Sequence, residues 1–210
     1  MIRVIIADDH PIVRAGLKQL IMEDDGIVVA GEASKGTQLL AEVRRQDYDV
    51  ILLDLTMPGM DGLDVLKQLK AEKSAIPVII LTMHPESQYA LRILKAGASG
   101  YLTKTSAPDE LINAIRKVHR GGKYISPSLA EKIAFALDDD TVKLPHESLS
   151  DREYQVLCMI GAGRTASQIA ETLSLSVKTI STYRTRILEK MQMETNAELT
   201  HYAIENGLEP

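Results

Sequence analysis

Five residues of this 210-residue chain carry chemistries that complement one another: Asp8, Asp9, Asp54, Thr82 and Lys104. Each ends, or directly follows, a short apolar run. Two unit charges about 5 Å apart repel by roughly 3 kcal/mol at an effective dielectric near 20. Three gathered carboxylates therefore call for a divalent cation. Hard oxygen ligands with open positions suit Mg²⁺, which takes one or two carboxylates and shares phosphoryl oxygens with a substrate. The Lys104 ammonium and the Thr82 hydroxyl would supply the remaining donors to a phosphoryl group. A lone aspartate at a strand end is ordinarily a helix cap. Five strand-end residues of matched chemistry are not five caps.

These residues gather only if the chain brings its strand ends together. The runs Arg3–Ala7, Val28–Glu32, Val50–Leu53, Val78–Thr82 and Gly100–Thr103 are short, β-branched-rich and apolar on both faces, as in a helix-covered parallel sheet. Amphipathic stretches alternate with them: Pro11–Met22, Thr37–Gln46, Gly62–Glu72, Ser87–Ala96 and Pro108–Arg120. Pro11 fits a first helical position, and Gly97 and Gly121 stand where helices should stop. Alternating β and α at this spacing predicts an α/β domain with a doubly wound, five-stranded parallel sheet of the flavodoxin-like kind. In such sheets ligands bind beyond the carboxyl ends of the strands, where strand order reverses. For order 2-1-3-4-5 that point lies between strands 1 and 3, so Asp8, Asp9 and Asp54 converge there.

The remainder of the chain is different in kind. A short helical stretch, Ser128–Leu137, runs into an acidic, proline-containing segment, Asp138–Glu147, that reads as a linker. From Leu149 only helical periodicity remains, broken at Gly161–Gly163, at Ser174–Ser176 and near Glu194–Asn196. The expected organisation is residues 1–122, a linker with a short helix at 123–145, and a smaller all-α domain at 146–210. Hydrophobic residues at 45% and charged residues at 25% are those of a globular protein rather than a disordered one. The longest apolar runs are strand-length, and Asp8 arrives too early for a signal peptide, so a cytoplasmic protein with no membrane partner is expected. The single cysteine, Cys158, lies among apolar helical neighbours and reads as a packed core residue. Net charge is −5, and neither half is basic: 18 basic against 20 acidic residues before position 146, 6 against 9 from there on. Positive charge is instead local. Lys178, Arg184, Arg186 and Lys190 face one acid, Glu189, between residues 176 and 190.

Asp8-Asp9, Asp54-Leu-Thr-Met-Pro-Gly-Met-Asp-Gly62, Leu81-Thr82 and Gly100-Tyr101-Leu-Thr-Lys104 closely resemble the receiver domain of two-component response regulators. The resemblance implies that Asp54 is the phosphoacceptor, attacking a phosphohistidine or a small phosphodonor in line. It implies that Asp9, Asp54 and the Thr56 backbone carbonyl ligate Mg²⁺, with Asp8 acting mainly through water. Lys104 would pair with the phosphorylated carboxylate, Thr82 would hydrogen-bond the phosphoryl oxygens, and Tyr101 would be the aromatic switch. The sequence departs from the pattern at Thr105, where receivers commonly have a proline joined by a cis bond, and Met83 is bulkier than usual. His10 is read as helping to start the first helix and His84 as a loop residue, rather than as catalytic groups.

In the second half, Ser150 and Glu153 form a capping-box signal. Leu149-Ser-Asp-Arg-Glu153, Ile169-Ala-Glu-Thr-Leu173, Ser176-Val-Lys-Thr-Ile180 and Ile187-Leu-Glu-Lys-Met191 resemble the LuxR-type helix-turn-helix domain. The stretch Gly161–Ser167 lacks both Gly-Lys-Ser/Thr and a preceding strand, which excludes a phosphate loop. The resemblance makes Ala166–Leu173 the supporting helix and Val177–Met191 the recognition helix, whose inner face is marked by Val177, Ile180, Ile187, Leu188 and Met191. Ser181, Thr182 and Thr185 are then candidates for base contact. Lys178, Thr179, Tyr183, Arg184 and Arg186 are candidates for phosphate contact, which sets affinity and register rather than sequence. The last helix, Ala197–Asn206, with Leu199, Tyr202 and Ala203, either dimerises or packs on its own domain.

A receiver followed by a LuxR-type domain is the layout of the NarL/FixJ subgroup. It implies a sensor histidine kinase as phosphodonor, a homodimer when phosphorylated, and double-stranded DNA as the target in control of transcription. Two rivals are a regulator that binds DNA without phosphorylation and a Mg²⁺-dependent phosphohydrolase. The hydrolase would carry a second acid two residues after its nucleophile, where this chain has Thr56.

Overall fold

The computed structural model describes residues 1–60, 62–72, 75–82, 88–106, 108–126, 129–131, 144–173 and 175–208, at 88 and 89 by backbone only. Two compact units, Met1–Glu131 and Lys132–Pro210, make up the chain.

The first unit is built on five strands: β1 (Ile2–Ala7), β2 (Ile27–Ala33), β3 (Val50–Asp54), β4 (Val78–Thr82) and β5 (Gly100–Thr103). All neighbours pair in parallel, in the order β2-β1-β3-β4-β5. Helices α1 (Pro11–Met22), α2 (Gly36–Arg45), α3 (Gly62–Ala71), α4 (Gln88–Lys95) and α5 (Pro108–His119) connect them. Every residue of β3 and β4 is buried, because both strands are central and covered on both faces. β2 differs from the expected two-sided burial: Val28 is 36% exposed, and Glu32 is exposed as well. An edge strand has one neighbour, and the helices cover it only in part. At the opposite edge, Tyr124 bridges Gly100 and exchanges backbone hydrogen bonds with Ser99 and Tyr101, extending the sheet beyond β5. Residues 129–131 are helical, with the Leu129 N–H donating to Ser126 Oγ at 3.1 Å. Most of the helix expected over Ser128–Leu137, and the acid-rich stretch after it, lie outside the described residues.

Register delivers the site residues to one edge. Ala7 pairs with Leu53, Asp54 with Leu81, and Thr82 with Thr103. Asp8 and Asp54 therefore stand side by side at the ends of β1 and β3, with Lys104 following β5. Gly62 allows the loop after Asp54 to close tightly. Its N–H donates to the Leu55 carbonyl at 2.8 Å, and a Cβ there would stand 2.3 Å from the Asp54 carbonyl oxygen.

The second unit contains a 3₁₀ turn (Pro145–Ser148) and helices α6 (Asp151–Gly161), α7 (Ala166–Thr172), α8 (Val177–Met191) and α9 (Asn196–Glu205). Capping boxes start α6 at Ser150 with Glu153 and α7 at Thr165 with Gln168. Ser176 caps α8, which ends on Gln192 in the left-handed region. α6 packs against α8 and α9, and α7 against α8. Cys158 on α6 is half-buried rather than a full core residue, on the flank of a helix whose Tyr154 and Leu157 take the centre.

Candidate functional site

At the switch point, Lys104 Nζ lies 2.7 Å from Asp8 Oδ2 and 2.9 Å from Asp54 Oδ2. Asp8, Asp54 and Thr82 are each at most 2% exposed. The Asp54 Oδ1 accepts the Thr56 N–H at 3.3 Å, and Lys104 N–H donates to the Thr82 carbonyl at 2.7 Å, tying β5's end to β4's. Burial pushes Asp54 up to about 6, against the pull of the Lys104 ammonium and with a further push from Asp8. Burial disfavours the Lys104 charge too, but its two carboxylates outweigh that and hold its pKa above the ordinary lysine value. At neutral pH Asp54 is thus still a carboxylate, held at its ammonium partner.

The residues fit a divalent cation. Asp8, Asp9, His10 and Asp54 each offer a ligand atom, all within 4.8 Å of one another. Asp8 Oδ2, Asp9 Oδ1 and Asp54 Oδ2 are buried oxygens whose close partners are Lys104 for the first and third and His10 for the second. One ammonium against three carboxylates leaves negative charge that a hard cation would neutralise.

One side chain here, Arg14, went unassigned in the sequence, and His10, read as helping to start the first helix, makes further contacts. Arg14, one turn into α1, donates from Nη1 to the Asp8 backbone carbonyl at 2.7 Å. His10 occupies the N-cap of α1, but its side chain makes no cap hydrogen bond. Its Nδ1 instead sits 2.8 Å from Asp9 Oδ1 and 3.3 Å from Asp8 Oδ1. His84 and Met83 lie outside the described residues. Tyr101 is fully buried, and the Lys104–Thr105 peptide bond is trans.

On α8, successive residues advance by about 100°. Ile180, Ile187 and Met191, all buried, then lie within about 40° of one another. Val177 and Leu188, expected on that face, fall to one side of it, and Val177 is 46% exposed. Lys178, Ser181, Thr182, Thr185 and Arg186 are exposed on the opposite face, while Thr179, Tyr183 and Arg184 are half-buried, the last two flanking the buried face at about 60° and 40° from Ile180. An open depression is lined by Ser176, Lys178, Thr179, Thr182, Tyr183 and Arg186. The hydroxyls of Ser181, Thr182 and Thr185 donate to carbonyls one turn back, leaving their oxygen lone pairs to accept from a partner. Two of the local cations are committed elsewhere. Lys190 Nζ pairs with the buried Glu153 Oε2 at 2.6 Å, and Arg184 Nε donates to Asn196 Oδ1. Burial raises the Glu153 pKa, but Lys190 and the Ser150 bonds outweigh it and hold it below the usual glutamate range.

In α9, Leu199 and Ala203 are buried and Tyr202 hydrogen-bonds His146 at 2.8 Å, so all three serve their own domain.

Residues 4–116 match the family described as "Response regulator receiver domain", and residues 147–203 match "Bacterial regulatory proteins, luxR family". The chain is a LuxR-family response regulator. It is 39% identical over 209 residues to the response regulator UvrY of Escherichia coli (strain K12), covering 99% of this chain and 96% of the relative. It is 38% identical over 208 residues to the response regulator GacA of Pseudomonas protegens, covering 99% and 98%. Among solved structures, RcsB of Salmonella enterica serovar Typhimurium, bound to promoter rprA in the presence of the phosphomimetic BeF3-, is similar at TM-score 0.67. It is 29% identical, with 96% of this regulator and 97% of that chain covered. The regulator is accordingly a transcription factor in which a phospho-receiver controls DNA binding, and not an enzyme. Receivers of this family carry their metal at an acidic aspartate cluster, which this regulator also possesses. Among the described residues, no helix is long and apolar enough to cross a membrane.

Proposed function

We propose that Asp54 is the phosphoacceptor of this regulator and that its phosphorylation switches the helix-turn-helix domain of residues 146–210, through the linker of residues 123–145. The observation that carries this reading is the buried Asp54 carboxylate held at 2.9 Å by Lys104 beside Asp8 and Asp9 at the strand-end switch point. An Asp54 oxygen attacks the phosphorus of a phosphohistidine on a sensor kinase; the P–O bond forms as the P–N bond breaks, and the imidazole leaves with the bonding pair. Asp9, Asp54 and the Thr56 carbonyl, with Asp8 through water, would hold a Mg²⁺, which would supply charge neutralisation at the phosphoryl oxygens. Lys104 then pairs with the phosphorylated carboxylate, and the Thr82 hydroxyl donates to a phosphoryl oxygen. Tyr101 is the aromatic switch that couples this to the far side of β5.

The output is a homodimer on paired half-sites of double-stranded DNA, in the cytoplasm. Ser181, Thr182 and Thr185 read base edges, while Lys178, Thr179, Tyr183, Arg184 and Arg186 border the phosphates. Arg184 also bonds Asn196, so it orients α8 against α9 as well as facing DNA.

Intact mass after incubation with acetyl phosphate and Mg²⁺ tests the reading. A single phosphoryl addition is expected for the wild type and none for Asp54→Asn. Addition to both proteins would remove Asp54 from the role. Equal DNA affinity of the two proteins, before and after phosphodonor, would favour a regulator that works without phosphorylation.

A further inference from the structure

Asp8 is fastened at four points. Its N–H donates to the Ala33 carbonyl at 3.1 Å, its Oδ1 accepts the His10 N–H at 2.7 Å, and its Oδ2 meets Lys104 Nζ at 2.7 Å. The fourth is the bond from Arg14 Nη1 to the Asp8 carbonyl at 2.7 Å. That carbonyl belongs to the peptide unit joining Asp8 to Asp9. The unit is planar and includes the Asp9 Cα, so a tether on its oxygen also directs Asp9. Asp9 thereby presents a carboxylate oxygen within 4.8 Å of one on Asp54. A charged donor makes such a tether roughly twice as strong as a neutral one.

The guanidinium is itself held from its other side. Glu32, on β2, has Oε2 3.6 Å from Arg14 Nε and Oε1 2.9 Å from Lys18 Nζ. Arg14 and Lys18 stand one turn apart on α1, so both reach the same carboxylate. The Lys18 hydrogen bond, opposed by slight burial and joined by the Arg14 charge, holds Glu32 below the usual glutamate range. Glu32 is therefore an anion at neutral pH and offsets the Arg14 charge.

Resting on the reading of the cluster as the Mg²⁺ site, we propose that Arg14 is a positioning residue for that site. It locks the Asp8–Asp9 peptide so that the Asp9 carboxylate is preset toward Asp54, and Glu32 steadies the guanidinium that does so. Partners that orient a metal's ligands without touching the ion affect its affinity strongly. Charge alone would act the other way: removing a cation beside three carboxylates tightens their hold on Mg²⁺. The sign of the change therefore separates the two effects. Lys18 supplies the comparison, because it pairs with the same Glu32 from the next turn and its bond is to that carboxylate rather than to Asp8.

Full-length wild type, Arg14→Met and Lys18→Met are titrated calorimetrically with Mg²⁺, and their phosphorylation by acetyl phosphate is followed by intact mass across Mg²⁺ concentrations. Arg14→Met is expected to bind Mg²⁺ about tenfold more weakly, and Lys18→Met within about twofold of wild type. The half-saturating Mg²⁺ for phosphorylation should rise by the same factor in Arg14→Met, with the plateau rate within about twofold. Arg14→Lys keeps the charge but has no fork to reach the carbonyl and Glu32 together. It should also weaken Mg²⁺, and it carries the test if Arg14→Met does not fold. Wild-type or tighter Mg²⁺ binding in the folded Arg14 variants overturns the proposal while leaving the cluster as the metal site. So does an equal loss in Lys18→Met, or a lowered plateau with unchanged half-saturation. Failure of the wild type to bind Mg²⁺ overturns the reading of the cluster as well.

Discussion

Lys104 Nζ stands 2.9 Å from Asp54 Oδ2, with 8% of the lysine side chain and 2% of the aspartate side chain exposed. The same nitrogen is 2.7 Å from Asp8 Oδ2, so one ammonium serves two buried carboxylates. Such an arrangement binds its lysine firmly and still attracts a cation.

Removing that ammonium exposes what it offsets. Breaking a buried pair by deleting one partner is strongly destabilising, because the other charge stays desolvated. Lys104→Met in metal-free buffer is expected to cost the receiver about 3 kcal/mol, read from urea unfolding. Adding Mg²⁺ should restore part of the loss. A variant as stable as wild type without metal would show that the two aspartates are solvated well enough to do without it.

The Asp54 carboxyl gives a pH dependence with a definite sign. Its folded pKa, about 6, lies above the ordinary value of 3.8. The protonated form is favoured by folding, so this contribution is fully present below pH 3.8 and is lost as pH rises through 6. At pH 7 and without metal, Asp54→Asn should therefore be more stable than wild type, by up to about 3 kcal/mol. The advantage should shrink toward pH 4, and saturating Mg²⁺ should reduce it at pH 7. Parallel unfolding curves of the two proteins from pH 4 to 8 check this; equal stabilities at pH 7 would contradict it.

The sheet was legible because β3 and β4 are unbroken apolar runs, and Asp54, Thr82 and Lys104 could be placed by asking what ends each strand. Edge effects were not: Val28 is as apolar as Val78, and it is exposed because β2 is an edge strand that the helices cover only in part. The partners of the site residues were less legible still. That Lys104 serves Asp8 as well as Asp54 depends on the register of three strands. His10 shows its donor only once the β1–α1 loop has its bend. On α8, charge counting treated Lys190 like Lys178, although Lys190 is bonded to Glu153, 37 residues earlier in the chain. Local periodicity finds the face of a helix, but a long-range ion pair leaves no periodic trace.

Gly62 tests how tightly the site backbone is held. An added Cβ would stand 2.3 Å from the Asp54 carbonyl oxygen and 2.8 Å from Leu55 Cα, both backbone atoms that cannot swing aside. Gly62→Ala is expected to destabilise the receiver by about 1–3 kcal/mol. It should also slow phosphorylation by acetyl phosphate, because the shift required falls on Asp54 itself. Intact-mass time courses alongside thermal unfolding measure both; a wild-type rate in a destabilised protein would separate the loop from the nucleophile's placement.

Lys178 and Lys190 lie on the same helix, carry the same charge and should behave differently toward DNA. Lys178 is exposed on the outward face of α8 and lines the depression there. Lys190 is held 2.6 Å from Glu153, which is 3% exposed. Neutralising a phosphate contact releases a counterion, so losing one reduces the slope of log affinity against log salt by about 1 per protomer. Lys178→Ala should show that reduction in fluorescence anisotropy titrations across salt concentrations, at little cost in stability. Lys190→Ala should leave the slope unchanged. It should instead destabilise the helix-turn-helix domain, by about 1–3 kcal/mol, because Glu153 loses its charged partner while staying buried. A reduced slope for Lys190→Ala would mean that this lysine leaves Glu153 for a phosphate on binding, and that α6 gives up its anchor to α8 when the regulator engages DNA.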